Sequence, residues 1–258
     1  MTGRETAPAL MLSGYENKAL MAAPENKDWG REGCIVAAPG PSLTPNVIHR
    51  VRMARWIGKW NVLAVQDAYR VMPWADAMYG CNPSWWRLHK HCEGFRGEKW
   101  SSHEGDQNGL NYKIDVSRDH GVRLIRGRDG RGFSTEPGVI HYGGNSGFQS
   151  INLALQFGAR RIVLVGFDMR CPDGRSHYFG DHPAPLHQNK DADYRNYLPR
   201  FEYAAAQLPD GVTIVNATPA SALRCFPMMD LECALAPDVA RLNGSLHWHG
   251  AESHASTD

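Results

Sequence analysis

Short apolar runs alternate with amphipathic stretches through the middle of the chain. The runs are CIVAA (34–38), NVLAVQ (61–66), DAMYG (76–80), VRLIRG (122–127), GVIHYG (138–143), RIVLVG (161–166) and VTIVN (212–216). Helical spacing predicts helices over 45–57, 146–157 and about 192–207. Continuous apolar strands interleaved with helices predict an α/β, Rossmann-like domain whose mainly parallel sheet is covered on both faces.

Local punctuation agrees with that reading. Thr44 precedes Pro45, a residue suited to the first helical position, and Val47, Val51 and Ala54 recur on one face. In the second helix Asn145 or Ser146 can cap, while Phe148, Ile151 and Leu155 line an inner face. Pro199 inside the third pattern predicts a kink or a fresh start there. The stretch 85–131 has weak periodicity and many Gly, His and charged residues, so an irregular excursion from the sheet is expected. The predicted organisation is a flexible arm (1–31), a single nucleotide-binding transferase domain (32–235) with a mobile lid (168–192), and a flexible tail (236–258).

A chain of 258 residues can bury roughly 70% or more of its unfolded surface, so it needs no disulfide framework. Its six cysteines are scattered without a C-x-x-C pair, which predicts free thiols and a cytoplasmic protein. The N-terminal apolar patch is broken by Glu5, Glu16 and Lys18, and no signal-peptide core or membrane span forms. With 28 Lys+Arg against 27 Asp+Glu the net charge is +1, so nucleic acid is not indicated as a partner. The one basic cluster, 123–133 (RLIRGRDGRGF), reads as a solvated loop.

In an open parallel sheet, ligands bind beyond the carboxyl ends of the strands. Five stretches fall there: APGPSL, QDAY, CNPS, GGNSG and GFDMRCPDGRSHY. Their small residues, helix starts and amide or hydroxyl side chains suit a phosphate. Neither G-x-G-x-x-G nor a Walker lysine motif is present.

The order of these stretches resembles that of the bacterial lipooligosaccharide sialyltransferases. IVAAPGPSL is similar to their IIAGNGPSL, CNPSWW to YNPSLF, and GGNSGFQSINLALQFGARRIVLVGFDM to their TSG…LGYKEIYLSGIDF region. VNATPASAL stands where they carry CPNSLL, and the match covers about 33–225. Archaeal 6-hydroxymethylpterin pyrophosphokinases share the same skeleton.

The resemblance implies a glycosyltransferase that moves a sugar from a nucleotide-activated donor to a hydroxyl acceptor, with no required cofactor and no metal. It assigns the nucleotide to Gly40, Pro41, Ser42, Gln66, Asn82, Asn145 and Ser146. Arg170 and Tyr178 would meet the departing phosphate, and His187 would be the general base, with His182 in reserve. It also implies a homo-oligomer. The chain departs from the pattern at several places: Ala38-Pro39 replaces the donor-touching Gly-Asn, Gln66 replaces an Asn, Arg170 replaces the first of two loop tyrosines, and GGNSG lacks the family's arginine.

Other readings stay open. One is a Mg-dependent pyrophosphokinase or nucleotidyl-type transfer, with Asp168, Asp173 and Asp181 for the metal. Another is a non-catalytic nucleotide- or glycan-binding module. The group His177, Asp181, His182 and His187 also admits metal ligation, although its spacing fits no firm zinc pattern.

Overall fold

The computed structural model of the chain describes residue 29 and residues 33–57, 60–103, 120–184 and 186–236. The expected arm and tail lie outside the described residues, apart from Trp29 and Ala236. Trp29 is buried and packs edge-on against Phe157 at 4.6 Å, so that position belongs to the core.

Eight strands form one parallel sheet: β1 Cys34–Ala37, β2 Asn61–Val65, β3 Ala77–Tyr79, β4 Glu98–His103, β5 Val122–Arg128, β6 Val139–His141, β7 Arg161–Val165 and β8 Thr213–Asn216. Their spatial order is β6-β5-β4-β3-β2-β1-β7-β8. The helices are α1 Pro45–Trp56, α2 Pro83–Leu88, α3 Ser146–Gln156, α4 Asp191–Ala205 and α5 Leu231–Leu235. This is the expected Rossmann-like α/β fold. The chain builds outward from β1 to β6 and then returns to add β7 and β8 on the other side of β1. The switch point therefore lies between β1 and β7, where the connections part and leave a crevice.

The apolar runs are explained by burial on both faces. In β1, Cys34 and Val36 face a cluster with Phe148, Ile151, Phe157 and Phe201. Ile35 and Ala37 alternate to the other side and join Val51, Trp85 and Trp86. A central strand such as β1 thus needs apolar side chains at every position.

Two expectations are corrected. The stretch 85–131 is not simply an excursion, because it supplies β4, paired in parallel with both β3 and β5. Its sequence, EKWSSH, has one apolar residue, and Ser101 and Ser102 are buried in its place. Of the kink or fresh start expected at Pro199, the fresh start is not seen, since α4 runs through it. The carbonyl one turn earlier loses its partner there, but Tyr194, Phe201 and Ala204 bury the inner face and hold the helix together. The basic cluster forms β5 and the following loop, with Arg123 beside Glu98 at 3.4 Å and Arg128 beside Glu136 at 2.5 Å.

Candidate functional site

Two loops interlock at the switch point. Ala38 N–H donates to Val165 O at 2.9 Å, and Gly40 N–H to Gly166 O at 3.0 Å. Asp168 Oδ2 accepts both the N–H (3.2 Å) and the hydroxyl (2.7 Å) of Ser42. Asp168 is 5% exposed, and burial raises its pKa against the two Ser42 hydrogen bonds, which lower it. The loops leave no room for side chains at their closest approach. A Cβ on Gly40 would lie 2.1 Å from Asp168 Oδ2, and one on Gly166 would lie 2.0 Å from Ala38 O.

Beside these loops is a small cavity of about 70 Å³ lined by Ala38, Pro39, Gly40, Gln66, Asn145–Gly147, Asp168, Met169, Ser176, His177, Asn189, Tyr194 and Tyr197, among others. Asn145 caps α3, its Oδ1 accepting from Phe148 N–H at 2.9 Å. Its buried Nδ2 has no hydrogen-bond partner. The adjacent N–H groups of Ser146 and Gly147 are among those a helix start leaves without an intrahelical acceptor. A phosphate or carboxylate oxygen would satisfy all of them.

The backbone at the cavity wall is strained. Gln66 and Met169 both have left-handed φ, at 43° and 51°. Such conformations cost an L-residue about 1–2 kcal/mol and concentrate at functional positions. Gln66→Gly should therefore raise stability by up to about 1 kcal/mol while removing the amide that faces the cavity. Urea unfolding at unchanged m-value measures the gain, and an unchanged or lower midpoint would show that the position is unstrained.

A second polar group lies behind the cavity. Asp67, 1% exposed, accepts from Trp85 Nε1 at 2.6 Å. His89 Nε2 stands 3.3 Å from its Oδ1, His182 Nδ1 3.8 Å from its Oδ2, and the Arg70 guanidinium 3.5 Å away. Tyr178 donates its hydroxyl to Asp67 O at 3.1 Å, and its N–H to Pro39 O at 2.9 Å. The segment around 177–182 is thereby fastened onto the ends of β1 and β2. His177 lies within it, ring-stacked on Phe179 and 4.4 Å from the His182 ring. Burial pushes His177 down to about 4 and also lowers His182 and His89.

The sequence-predicted residues divide between the cavity and its surroundings. Gly40, Gln66, Asn145 and Ser146 line the cavity. Pro41 and Ser42 stand behind it in the interlocked loop, and both donors of Ser42 are already engaged by Asp168. Asn82 is the N-cap of α2, accepting from Ser84 and Trp85 N–H. Tyr178 spends its hydroxyl on Asp67, and Arg170 is exposed outside the cavity. His187 is also outside, its imidazole 66% exposed and its Nε2 3.3 Å from Asp193 Oδ2. Asp173 and Asp181 are exposed, whereas Asp168 is buried against Ser42. Among the described residues, no group of three or more His, Cys, Asp or Glu is arranged to hold a metal ion.

Sequence reasoning missed Asp67, His89, Asn189, Tyr194 and Tyr197. Asp67 stood in the quoted QDAY stretch, and Tyr194 and Tyr197 show the three-residue spacing of one helix face. His89 carried no signal, since only the fold brings α2 against Asp67.

Fold and site together define a doubly wound α/β protein with an anion-suited crevice at its switch point. No protein-family model matches the chain, and no curated protein matches it. Among solved structures the chain is similar to the MAf glycosyltransferase from Magnetospirillum magneticum AMB-1, with a TM-score of 0.52 and 13% identity over 78% of this chain and 34% of that one. At that identity the likeness is one of fold, and the chain spans about a third of the other protein's length. Among the described residues none of the six cysteines is in a disulfide, and no helix is long and apolar enough to cross a membrane.

Proposed function

We propose that the protein is a glycosyltransferase that binds a nucleotide-activated sugar at the β1/β7 switch point and transfers the sugar to a hydroxyl acceptor. The observation that carries this reading is the buried, unpartnered Asn145 Nδ2 beside the start of α3. An orphan donor in a buried place is costly unless a ligand acceptor meets it. The similarity in fold to a glycosyltransferase supports the reaction class.

In this reading the donor's phosphate lies against Asn145, Ser146 and Gly147, with the Gln66 amide on the facing wall. Gly40, Pro41 and Ser42 shape the wall, and the Ser42–Asp168 pairing keeps it in place. A nucleotide sugar exceeds a cavity of about 70 Å³, since ligand sites run to roughly 300–1,000 Å³. The segment 168–192 acts as a lid that opens to admit the donor. Once it is displaced, Arg170 and Tyr178 can turn toward the leaving phosphate, where a guanidinium and a phenol both stabilise negative charge.

His187 is the proposed base. Asp193, its own pKa held down first by the Lys190 N–H and then by His187, orients one imidazole nitrogen. The exposed ring can meet a hydroxyl arriving from solvent, and such assistance is worth roughly 10²–10⁴ in rate. No metal is required in this scheme, and we propose the protein as a homo-oligomer in the cytoplasm.

Asn145→Asp tests the site. Aspartate keeps the capping oxygen and therefore the helix start, but it replaces the N–H donor with a negative charge. Calorimetric titration with CMP, UDP and GDP and their sugar conjugates should show binding by the native protein and at least tenfold weaker binding by the variant. Absence of binding by the native protein, or equal binding by the variant, would refute the site.

A further inference from the structure

A second concavity lies on the other side of the α3 start from the cavity. It is a groove of about 600 Å³ lined by Asp129–Gly132, Gly143, Phe148, Pro199, Arg200 and Tyr203. We propose that this groove binds the carboxylate or phosphate of an anionic saccharide, and that this saccharide is part of the acceptor. The proposal rests on the glycosyltransferase reading above for the word acceptor, and on the groove alone for the anion.

The groove holds two arginines, Arg131 and Arg200, against a single carboxylate, Asp129. Arg131 is held over the Tyr203 ring, its guanidinium carbon 4.2 Å from the ring centroid. An aromatic face fixes the position of a cation without using its N–H donors in a salt bridge. Arg200 lies across the Gly143–Gly144 turn, close enough that a Cβ on Gly144 would come within 3.0 Å of its Nη1. Neither arginine has a carboxylate within ion-pair distance among the described residues, whereas Arg123, Arg128, Arg55 and Arg50 each do. Asp129 is an exposed carboxylate on the same loop, so the groove carries two positive charges against one negative.

The floor of the groove is held in place by the protein itself. Gly132 and Gly143 have positive φ, 71° and 54°, and His141 Nδ1 lies 3.1 Å from Gly132 O, which ties the loop down. A Cβ on Gly143 would fall 2.0 Å from Cδ1 of the Phe148 ring, so glycine there lets the turn close onto the aromatic floor. Tyr203 adds an aromatic edge of the kind that packs on a sugar ring. Two guanidinium groups favour a planar or tetrahedral oxyanion over a neutral hydroxyl, because their N–H forks match carboxylate and phosphate oxygens.

Position links the groove to the cavity. Tyr194, Tyr197, Arg200 and Tyr203 follow one another at three-residue spacing along α4, the first two in the cavity wall and the last two in the groove. From Asp193, which orients His187, to Arg200 is seven residues, about 10 Å along the helix axis. The arginines would therefore hold an anion on a different sugar residue from the one whose hydroxyl reacts. The acceptor that fits is an acidic glycan rather than a neutral monosaccharide.

The test uses glucuronate, glucose 6-phosphate and glucose as probes, with the full chain at low salt. Backbone amide NMR shifts at Gly130, Gly132 and Gly143 report the groove, and calorimetric titration with the nucleotide panel reports the cavity separately. Glucuronate, glucose 6-phosphate or both should shift the groove glycines and saturate, and glucose should not; the stronger of the two acids identifies the anion. Arg131→Gln with Arg200→Gln, both at exposed positions, should weaken that binding at least tenfold while leaving nucleotide affinity unchanged. Saturation by glucose at equal strength, no response to either acid, or equal binding by the double variant would overturn the groove proposal. Nucleotide titration failing while the acids still bind would instead overturn the glycosyltransferase reading alone.

Discussion

Gly40→Ala is expected to destabilise the fold by about 3 kcal/mol or more, at the upper end of overpacking effects, and to abolish nucleotide binding. The added methyl would fall 2.1 Å from Asp168 Oδ2 and 2.3 Å from Gly166 O. The first contact could move only by giving up the two Ser42 hydrogen bonds, in a place where Asp168 is 5% exposed. The second is backbone, fixed because Gly40 N–H donates to the same Gly166 O. Both walls of the crevice would have to part. Total stabilities of about 5–15 kcal/mol leave little reserve for such a change. Gly94→Ala is the control, because a Cβ there meets nothing within 4 Å. Urea unfolding of the two variants beside the native protein measures the difference, and a Gly40→Ala midpoint equal to that of Gly94→Ala would show that the loops are not locked.

That clamp explains how the APGPSL stretch reads in sequence and in space. Its Gly-Pro content announces a turn, and the apolar run before it announces a buried strand. Nothing in it announces that Ser42 turns inward onto a carboxylate 126 residues away. The same limit applies across the site. Strands buried on both faces, and helices with Thr44 or Asn145 at their starts, were legible because local composition dictates them. β4 was not, because its buried serines owe their place to neighbouring strands and not to their own hydrophobicity. The Asp67 group was illegible for a similar reason: β2, α2 and the 177–182 segment each supply part of it, and no spacing along the chain joins Asp67, His89 and His182. Of the residues the resemblance assigns to a nucleotide, Gly40, Gln66, Asn145 and Ser146 line the cavity. Ser42, Asn82 and Tyr178, which the resemblance assigns to the same ligand, have side chains engaged within the protein.

Acidification should weaken the fold well before carboxylates protonate. His177 is pushed down to about 4 from an ordinary 6.5, chiefly by burial. The unfolded chain therefore binds a proton near pH 6.5 that the folded chain refuses until about pH 4. Stability rises with pH wherever the unfolded state binds more protons, so this contribution is complete above 6.5 and is lost as pH falls toward 4. By pH 5 the loss is on the order of 2 kcal/mol from His177 alone. His89 and His182, also lowered by burial, act in the same direction. Asp168 acts oppositely, because a carboxyl raised by burial favours the folded state as it takes up its proton. The His177 window, from 6.5 down to about 4, is the one that carries the decline. The charged groups facing them, Asp67, Arg70 and Asp181, include only one buried carboxylate, which three imidazolium ions and a guanidinium would have to share. Their mutual repulsion loosens the 177–182 segment first, and the cavity opens before the sheet melts. Urea unfolding at pH 7.5, 6 and 5 should show the decline, and His177→Asn should flatten it. Equal stability at pH 7.5 and 5, or an undiminished slope in His177→Asn, would exclude His177 as its source.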